Sequence, residues 1–157
     1  MEHDGVWESL DTGKVDMGGH GFNATLRDWG RFGLFVMREG KLSNGDSLLP
    51  GNWMAKSIQW TRAKDSVTPD TPDGIYGYQW WSGGLLSKER DTDGANATAS
   101  GTFRAEGIYG QSIAINPKEQ LVIVQWSSWA AADGSQTLYD EGVLFANAVA
   151  RSLRNPD

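Results

Sequence analysis

Apolar residues recur with a helical period over 25–39, where Leu26, Trp29, Phe32 or Gly33, and Val36 share one stripe. Thr25 with Asp28 three residues on is a helix-start signal, and Gly40 is a good stop. The pattern predicts a helix at 25–39. Gly30 and Gly33 inside it cost about 1 kcal/mol each relative to alanine, so another element is expected close against that face. Pro50 suits the first turn of a second helix at about 50–60. Ile75 to Ser82 reads as a strand. Phe103 to Ser127 reads as two more, 108–116 and 120–127, joined by a tight turn at Asn116-Pro117-Lys118. Gln136 to Leu153 carries Leu138, Val143, Leu144, Ala148 and Leu153, the mark of an amphipathic C-terminal helix. Residues 1–22 are polar and glycine-rich and read as loop. Residues 64–74 hold Pro69, Pro72 and Gly74, and 83–101 are small, polar and charged, so both read as connectors. The class is therefore α+β, with about three antiparallel strands, a long C-terminal helix and two further helices.

Composition narrows the partners. A chain of 157 residues is about one domain. Its formal net charge is −6 and it has no basic tail, so nucleic acid is not an expected partner. No stretch approaches the ~20 apolar residues of a membrane span. Cysteine is absent, which excludes disulfides and thiolate metal sites but leaves cytoplasm and periplasm both open. His3 and His20 are the only histidines, so no metal site of the usual zinc type and no cofactor is expected. Eight tryptophans allow two readings, a carbohydrate-binding surface or a core with large aromatic plugs. An exposed planar row would favour the first. Burial of Trp29, Trp53 and Trp80 would favour the second, as does the helix-like spacing of Trp29, Trp53 and Trp60.

The candidate chemistry sits at the glycines Gly107 and Gly110. A strand that opens on glycines lets a ligand or another backbone come close. Gly110-Gln-Ser112-Ile-Ala has the look of a nucleophile elbow, but that motif needs a strand-to-helix turn and a final glycine. Here Ser112 leads into an apolar strand and the last residue is Ala114, so Ser112 is rejected as a nucleophile. Asn23-Ala-Thr25 and Asn96-Ala-Thr98 fit the glycosylation sequon, a match common by chance.

Three stretches carry a family resemblance. Gly18-Gly-His-Gly-Phe-Asn-Ala-Thr-Leu-Arg-Asp-Trp-Gly-Arg-Phe-Gly33 resembles the glycine pair and helix of the β-lactamase-like serine hydrolases. Tyr76-Gly-Tyr-Gln-Trp-Trp81 resembles a strand of the same superfamily, and Phe103 to Ser127 resembles its last strands. That superfamily joins class C β-lactamases, DD-peptidases, esterases and 6-aminohexanoate-oligomer hydrolases. The resemblance implies that residues 1–157 are the C-terminal portion of one β-lactamase-like domain. Residues 1–65 would be its helical part and 75–157 its sheet and C-terminal helix.

The resemblance also implies chemistry. The family's nucleophile is the serine of Ser-x-x-Lys, assisted by a Tyr-x-Asn loop. The residues three before Lys14, Lys41, Lys56, Lys64, Lys88 and Lys118 are Asp11, Arg38, Trp53, Thr61, Leu85 and Ile115, and no tyrosine has asparagine two residues on. The chain alone is therefore expected to be inactive. The Ile108 N–H would be one of two oxyanion-hole donors, the other belonging to the absent serine. Gly107, Tyr109, Gln111 and His20 would border the substrate. Strand alternation puts Tyr109 and Gln111 on one face. Ala105-Glu106-Gly107 stands where relatives commonly carry Lys-Thr-Gly. Losing that cation and hydroxyl points away from β-lactams and toward an ester or small linear amide. Expected partners are the missing N-terminal half or another copy, through an open sheet edge. The rival reading is a non-catalytic remnant or interaction module.

Overall fold

A computed structural model of the protein describes residues 1–10, 15–58, 76–82 and 102–154. The expected connectors at 64–74 and 83–101, Ile75, the last two residues of the second helix, Trp60 and Asn96 lie outside them. The main sheet is antiparallel and has five strands in sequence order: β5 (Tyr76–Gly77), β6 (Trp80–Ser82), β7 (Phe103–Gly107), β8 (Gln111–Asn116) and β9 (Leu121–Gln125). Two helices flank it. α1 (Leu26–Met37) packs on β8 and β9 from one side. α3 (Gln136–Arg154) lies against the other, where Ala146 meets Ala114 and Ile123.

Alternation along the strands decides which residues reach which helix. Phe103, Ile113 and Ile115 are buried with Val36, Met54 and Trp80, and Ala105, Val122 and Val124 pack against them. The intervening Ala114 and Ile123 face α3. Gly33 explains the close fit of α1. A Cβ there would overlap Val122 Cγ1 and lie 3.4 Å from Ile113 Cγ2. Gly30 has open space instead, so only one of the two helix glycines is needed for packing.

α1 begins where the capping signal put it. Thr25 Oγ1 accepts the Asp28 N–H at 3.1 Å, and Asp28 Oδ2 accepts the Thr25 hydroxyl at 3.0 Å. Asp28 is fully buried. It also accepts the N–H groups of Glu2 and His3, at 2.6 and 3.1 Å, and Arg31 Nη1 at 3.1 Å. Burial alone would raise its pKa, but these donors outweigh burial and hold it at about 2, below the usual 3.8. A lowered folded-state pKa stabilises above the unfolded value and loses that benefit as pH falls through the folded one. The melting temperature of the wild type should therefore exceed that of Asp28→Asn by a constant amount above pH 3.8. The gap should close as pH falls toward about 2. A gap independent of pH over that range would refute the assignment.

Several expectations change. Residues 1–22 are not all loop. β1 (Val6–Trp7) pairs with β4 (Phe22–Asn23), and β2 (Ser9–Leu10) pairs with β3 (Val15–Asp16). An aromatic chain, Trp7 to Phe22 to Trp29 to Phe32, ties this segment to α1 with ring centroids 4.7, 5.4 and 5.5 Å apart. The strand expected at 75–82 is a hairpin. Tyr78 and Gln79 both have positive φ, 37° and 69°, as a two-residue turn between twisted strands requires. β7 was not foreseen, and 108–110 is a tight turn with left-handed backbone rather than the start of β8. Among the described residues the main sheet therefore has five strands rather than three, and β1 to β4 form two further pairs.

Both other helices also differ in detail. α2 (Trp53–Ser57) is shorter than predicted, and Pro50 precedes it, its carbonyl accepting the Trp53 N–H at 2.8 Å. α3 has the expected span but docks through small residues. Ala146 and Ala150 are buried, while Leu144 and Leu153 are about two-thirds exposed, at 66% and 65%. Ala146 meets the sheet at Ala114 and Ile123, and Leu144 and Leu153 turn outward. The tryptophans divide. Trp80 is buried and Trp29 packs on the core, but Trp53 is exposed beside Tyr78, with ring centroids 5.9 Å apart. Exposed Trp7 and Trp53 lie on β1 and α2, and exposed Trp126 lies just past β9.

Candidate active site

β7 runs into the glycine cluster and stops there. Its ladder with β8 pairs Glu106 with Ser112 and Gly107 with Gln111, so 108–110 must cross between the two strands. Three residues make that crossing as a tight turn whose backbone is left-handed at Tyr109 and Gly110. Tyr109 takes φ 58° and ψ 23°, and Gly110 takes φ 81°. The first is uncommon for a residue with a side chain and the second is ordinary for glycine. Ile108 stands at the start of the turn and is exposed. Among the described residues its N–H has no acceptor.

Gly107, Ile108, Tyr109 and Gln111 are thus brought together at one end of the sheet. Their orientations differ from those the strand pattern predicts. Tyr109 is not in a strand, so the two-residue alternation does not relate it to Gln111. It is 45% exposed, which removes it from the core. Gln111 turns back on the protein. Its Nε2 donates to Ser127 O at 2.7 Å and to Tyr109 O at 3.3 Å. His20 belongs to another element, the loop before β4, where Nδ1 lies 3.9 Å from Glu8 Oε2 and both side chains are exposed. Ser112 sits inside β8, paired with Glu106 and Gln125, with no strand-to-helix elbow.

The segment after β9 completes the turn, and no sequence motif marks it. The Tyr109 N–H donates to Ala132 O at 2.9 Å, and the Trp129 N–H donates to Tyr109 O at 3.3 Å. Trp129 lies against both Gly110 and Gly134. The one sequence signal was the glycine at each of those positions. Beside this end of the sheet, on the α3 side, is a cavity of about 50 Å³ bordered by Gly107, Gly110, Gln111, Gln125, Trp129 and Tyr139. Arg104 and Glu106, which also line it, form an ion pair with each other. Among the described residues no three His, Asp or Glu side chains gather as a metal site requires, and no helix is long and apolar enough to cross a membrane.

An antiparallel sheet between two helices, with a glycine-rich crossing at its end, is the arrangement expected of a β-lactamase-like hydrolase fold. The Beta-lactamase family model matches residues 2–146, and the chain belongs to that family. The chain is 29% identical over 142 residues to the 6-aminohexanoate-dimer hydrolase of Paenarthrobacter ureafaciens. That match takes in 82% of this chain and 33% of the relative. Its fold is similar to a solved structure described as "Putative 6-aminohexanoate-dimer hydrolase from Bacillus anthracis", with a TM-score of 0.62 and 27% identity. Here 94% of this chain and 34% of the other are covered. The chain spans about a third of the length of these relatives.

Proposed function

We propose that this chain is the C-terminal portion of a serine hydrolase that acts through an acyl-enzyme on an ester or small linear amide. The observation that carries the reading is the Ile108 N–H. It stands without an acceptor among the described residues, at a glycine-lined crossing, in a chain matched to a hydrolase family over 2–146. The serine would come from outside these 157 residues. Its oxygen would attack the substrate carbonyl as its proton passes to the base of the Ser-x-x-Lys and Tyr-x-Asn motifs and on to the leaving group, and the carbonyl electron pair would move to the carbonyl oxygen. The Ile108 N–H would donate to that oxyanion, a contact worth about 3–4 kcal/mol in the transition state. Collapse would expel the alcohol or amine, and water would then release the acid.

Local chemistry supports an ester or amide over a substrate recognised by its carboxylate. Arg104 is committed to Glu106, and Ala105 and Glu106 supply no cation beside Gly107. Gly107 and Tyr109 would border the substrate, and His20 would lie at the mouth. Gln111 is engaged with Ser127 and Tyr109, so its part would be to shape the wall. β9 pairs on one side only among the described residues, which supports a place there for strands from the rest of a longer protein. The isolated chain is expected to be inactive.

The test is the reading frame upstream of the Met1 codon. It should encode Ser-x-x-Lys and then Tyr-x-Asn without a stop. The full product should hydrolyse a p-nitrophenyl ester or a linear amide of 6-aminohexanoate, and the 157-residue chain should not. A closed frame, or a full product inert toward both, would overturn the reading and favour the interaction module.

A further inference from the structure

The crossing that carries Ile108 is not self-sufficient. A non-glycine residue at φ 58° is held against its own preference, and it persists only where the surroundings over-determine it. Here the surroundings are the β7–β8 ladder that closes at Gly107 and Gln111, and the segment 127–134. Tyr109 is gripped at both ends of its peptide frame: its N–H by Ala132 O, and its carbonyl by the Trp129 N–H and Gln111 Nε2. Gln111 Nε2 also reaches Ser127 O, 16 residues on, so one amide bridges the turn and its brace. Gln125 Nε2 adds a bond to the hydroxyl of the same residue, Ser127 Oγ, at 3.0 Å.

The Trp129 ring sets where the brace sits. It lies between two glycines, and a Cβ on either Gly110 or Gly134 would run into it. Tyr139 of α3 meets it edge to face, with centroids 4.8 Å apart and planes at 82°. An aromatic plate held by two bare backbones and a helix residue has little freedom to shift. Its own N–H then points at Tyr109 O. The carbonyl of Ile108 and the N–H of Tyr109 belong to one rigid peptide unit, so fixing Tyr109 limits rotation of the residue before it.

We infer that Trp129 and Gln111 are positioning residues, which lock Tyr109 in its left-handed conformation and thereby aim the Ile108 N–H. This rests on the role proposed above for that N–H. Neither side chain needs to touch substrate. The brace makes the donor direction a property of the fold rather than of bound substrate, as preorganised oxyanion stabilisation demands.

The experiment is backbone NMR of the 157-residue chain, comparing wild type with Trp129→Leu, Trp129→Phe and Gln111→Ala. In the wild type, Tyr109 should show the strong intraresidue HN–Hα contact of a positive φ and a protected amide. Trp129→Leu should weaken that contact and speed Tyr109 amide exchange roughly tenfold or more, while Ile115 in the core keeps its protection. Trp129→Phe should restore most of the protection, because a flat ring still fits between the two glycines. Gln111→Ala should give the same local signature, and carries the test if Trp129→Leu does not fold. An unchanged Tyr109 in both Trp129→Leu and Gln111→Ala would overturn the inference. So would equal loss of protection at Tyr109 and Ile115, which would mean general loosening. The two failures are distinguishable. An inert full product with an intact Tyr109 signature defeats the oxyanion assignment, and an active one with an unmoved Tyr109 in the variants defeats the positioning role.

Discussion

Phe103→Ala is expected to destabilise the protein by ~3–5 kcal/mol, the usual range for deleting a buried phenyl ring. Phe103 is 3% exposed and opens β7, the strand that leads to Gly107 and Ile108. Its ring meets Trp80 edge to face, with centroids 5.2 Å apart and planes at 87°. It lies in the same buried cluster as Ile115, its cross-strand partner in β8. The substitution removes the ring's burial and leaves a cavity between β6 and α1 that rigid strands cannot close. Urea unfolding should show a lower midpoint with an unchanged slope. Phe103→Leu should recover a large part of the loss. A midpoint shift worth less than about 1 kcal/mol would mean that this cluster does not hold the sheet together.

Gly110→Ala should be nearly as damaging, for two separate reasons. At φ 81° an L side chain costs ~1–2 kcal/mol in backbone strain. The new methyl would also lie 2.8 Å from Ser127 Cβ and collide with the Trp129 ring, an overpacking cost of ~1–3 kcal/mol. Trp129→Ala in the Gly110→Ala background should relieve the second cost and leave the first. A double-mutant cycle by urea unfolding separates them. Simple additivity of the two losses would show that Trp129 does not press on Gly110. In the longer hydrolase proposed above, Gly110→Ala would also lower kcat, since it displaces the turn that carries Ile108.

The parts of the fold legible in the sequence are those governed by short-range rules. Thr25 and Asp28 announce α1 because the cap is made by residues three apart. The span of α3 follows from periodicity within 19 residues. The β8–β9 hairpin was visible from two apolar runs around Asn116-Pro117-Lys118. Asn116 Oδ1 accepting the Glu119 N–H at 3.0 Å is again a local bond. The β5–β6 hairpin escaped because its turn uses Tyr78 and Gln79 at positive φ, where the usual signal is asparagine or glycine. β7 escaped because Arg104 and Glu106 are paired with each other on the α3 side of the sheet, and their charges masked the alternation of Phe103 and Ala105.

The candidate site divides in the same way. Gly107 and Gly110 point to it in the sequence, and the family motifs around them supply its reading. The conformation of Tyr109 could not be read, because it is set by Ala132 and Trp129, more than 15 residues away. The docking face of α3 could not be read either. Leu144 and Ala146 are both apolar, and only the packing of Ala146 on Ala114 shows which one faces the interior. By itself the sequence determined the family, the two long helices and the place of the glycine crossing, since caps, periods and motifs act over a few residues. Only the tertiary structure decided how many strands form, which helix face is buried and where the Ile108 amide stands. Those depend on contacts whose strength comes from residues distant in the chain closing on one another.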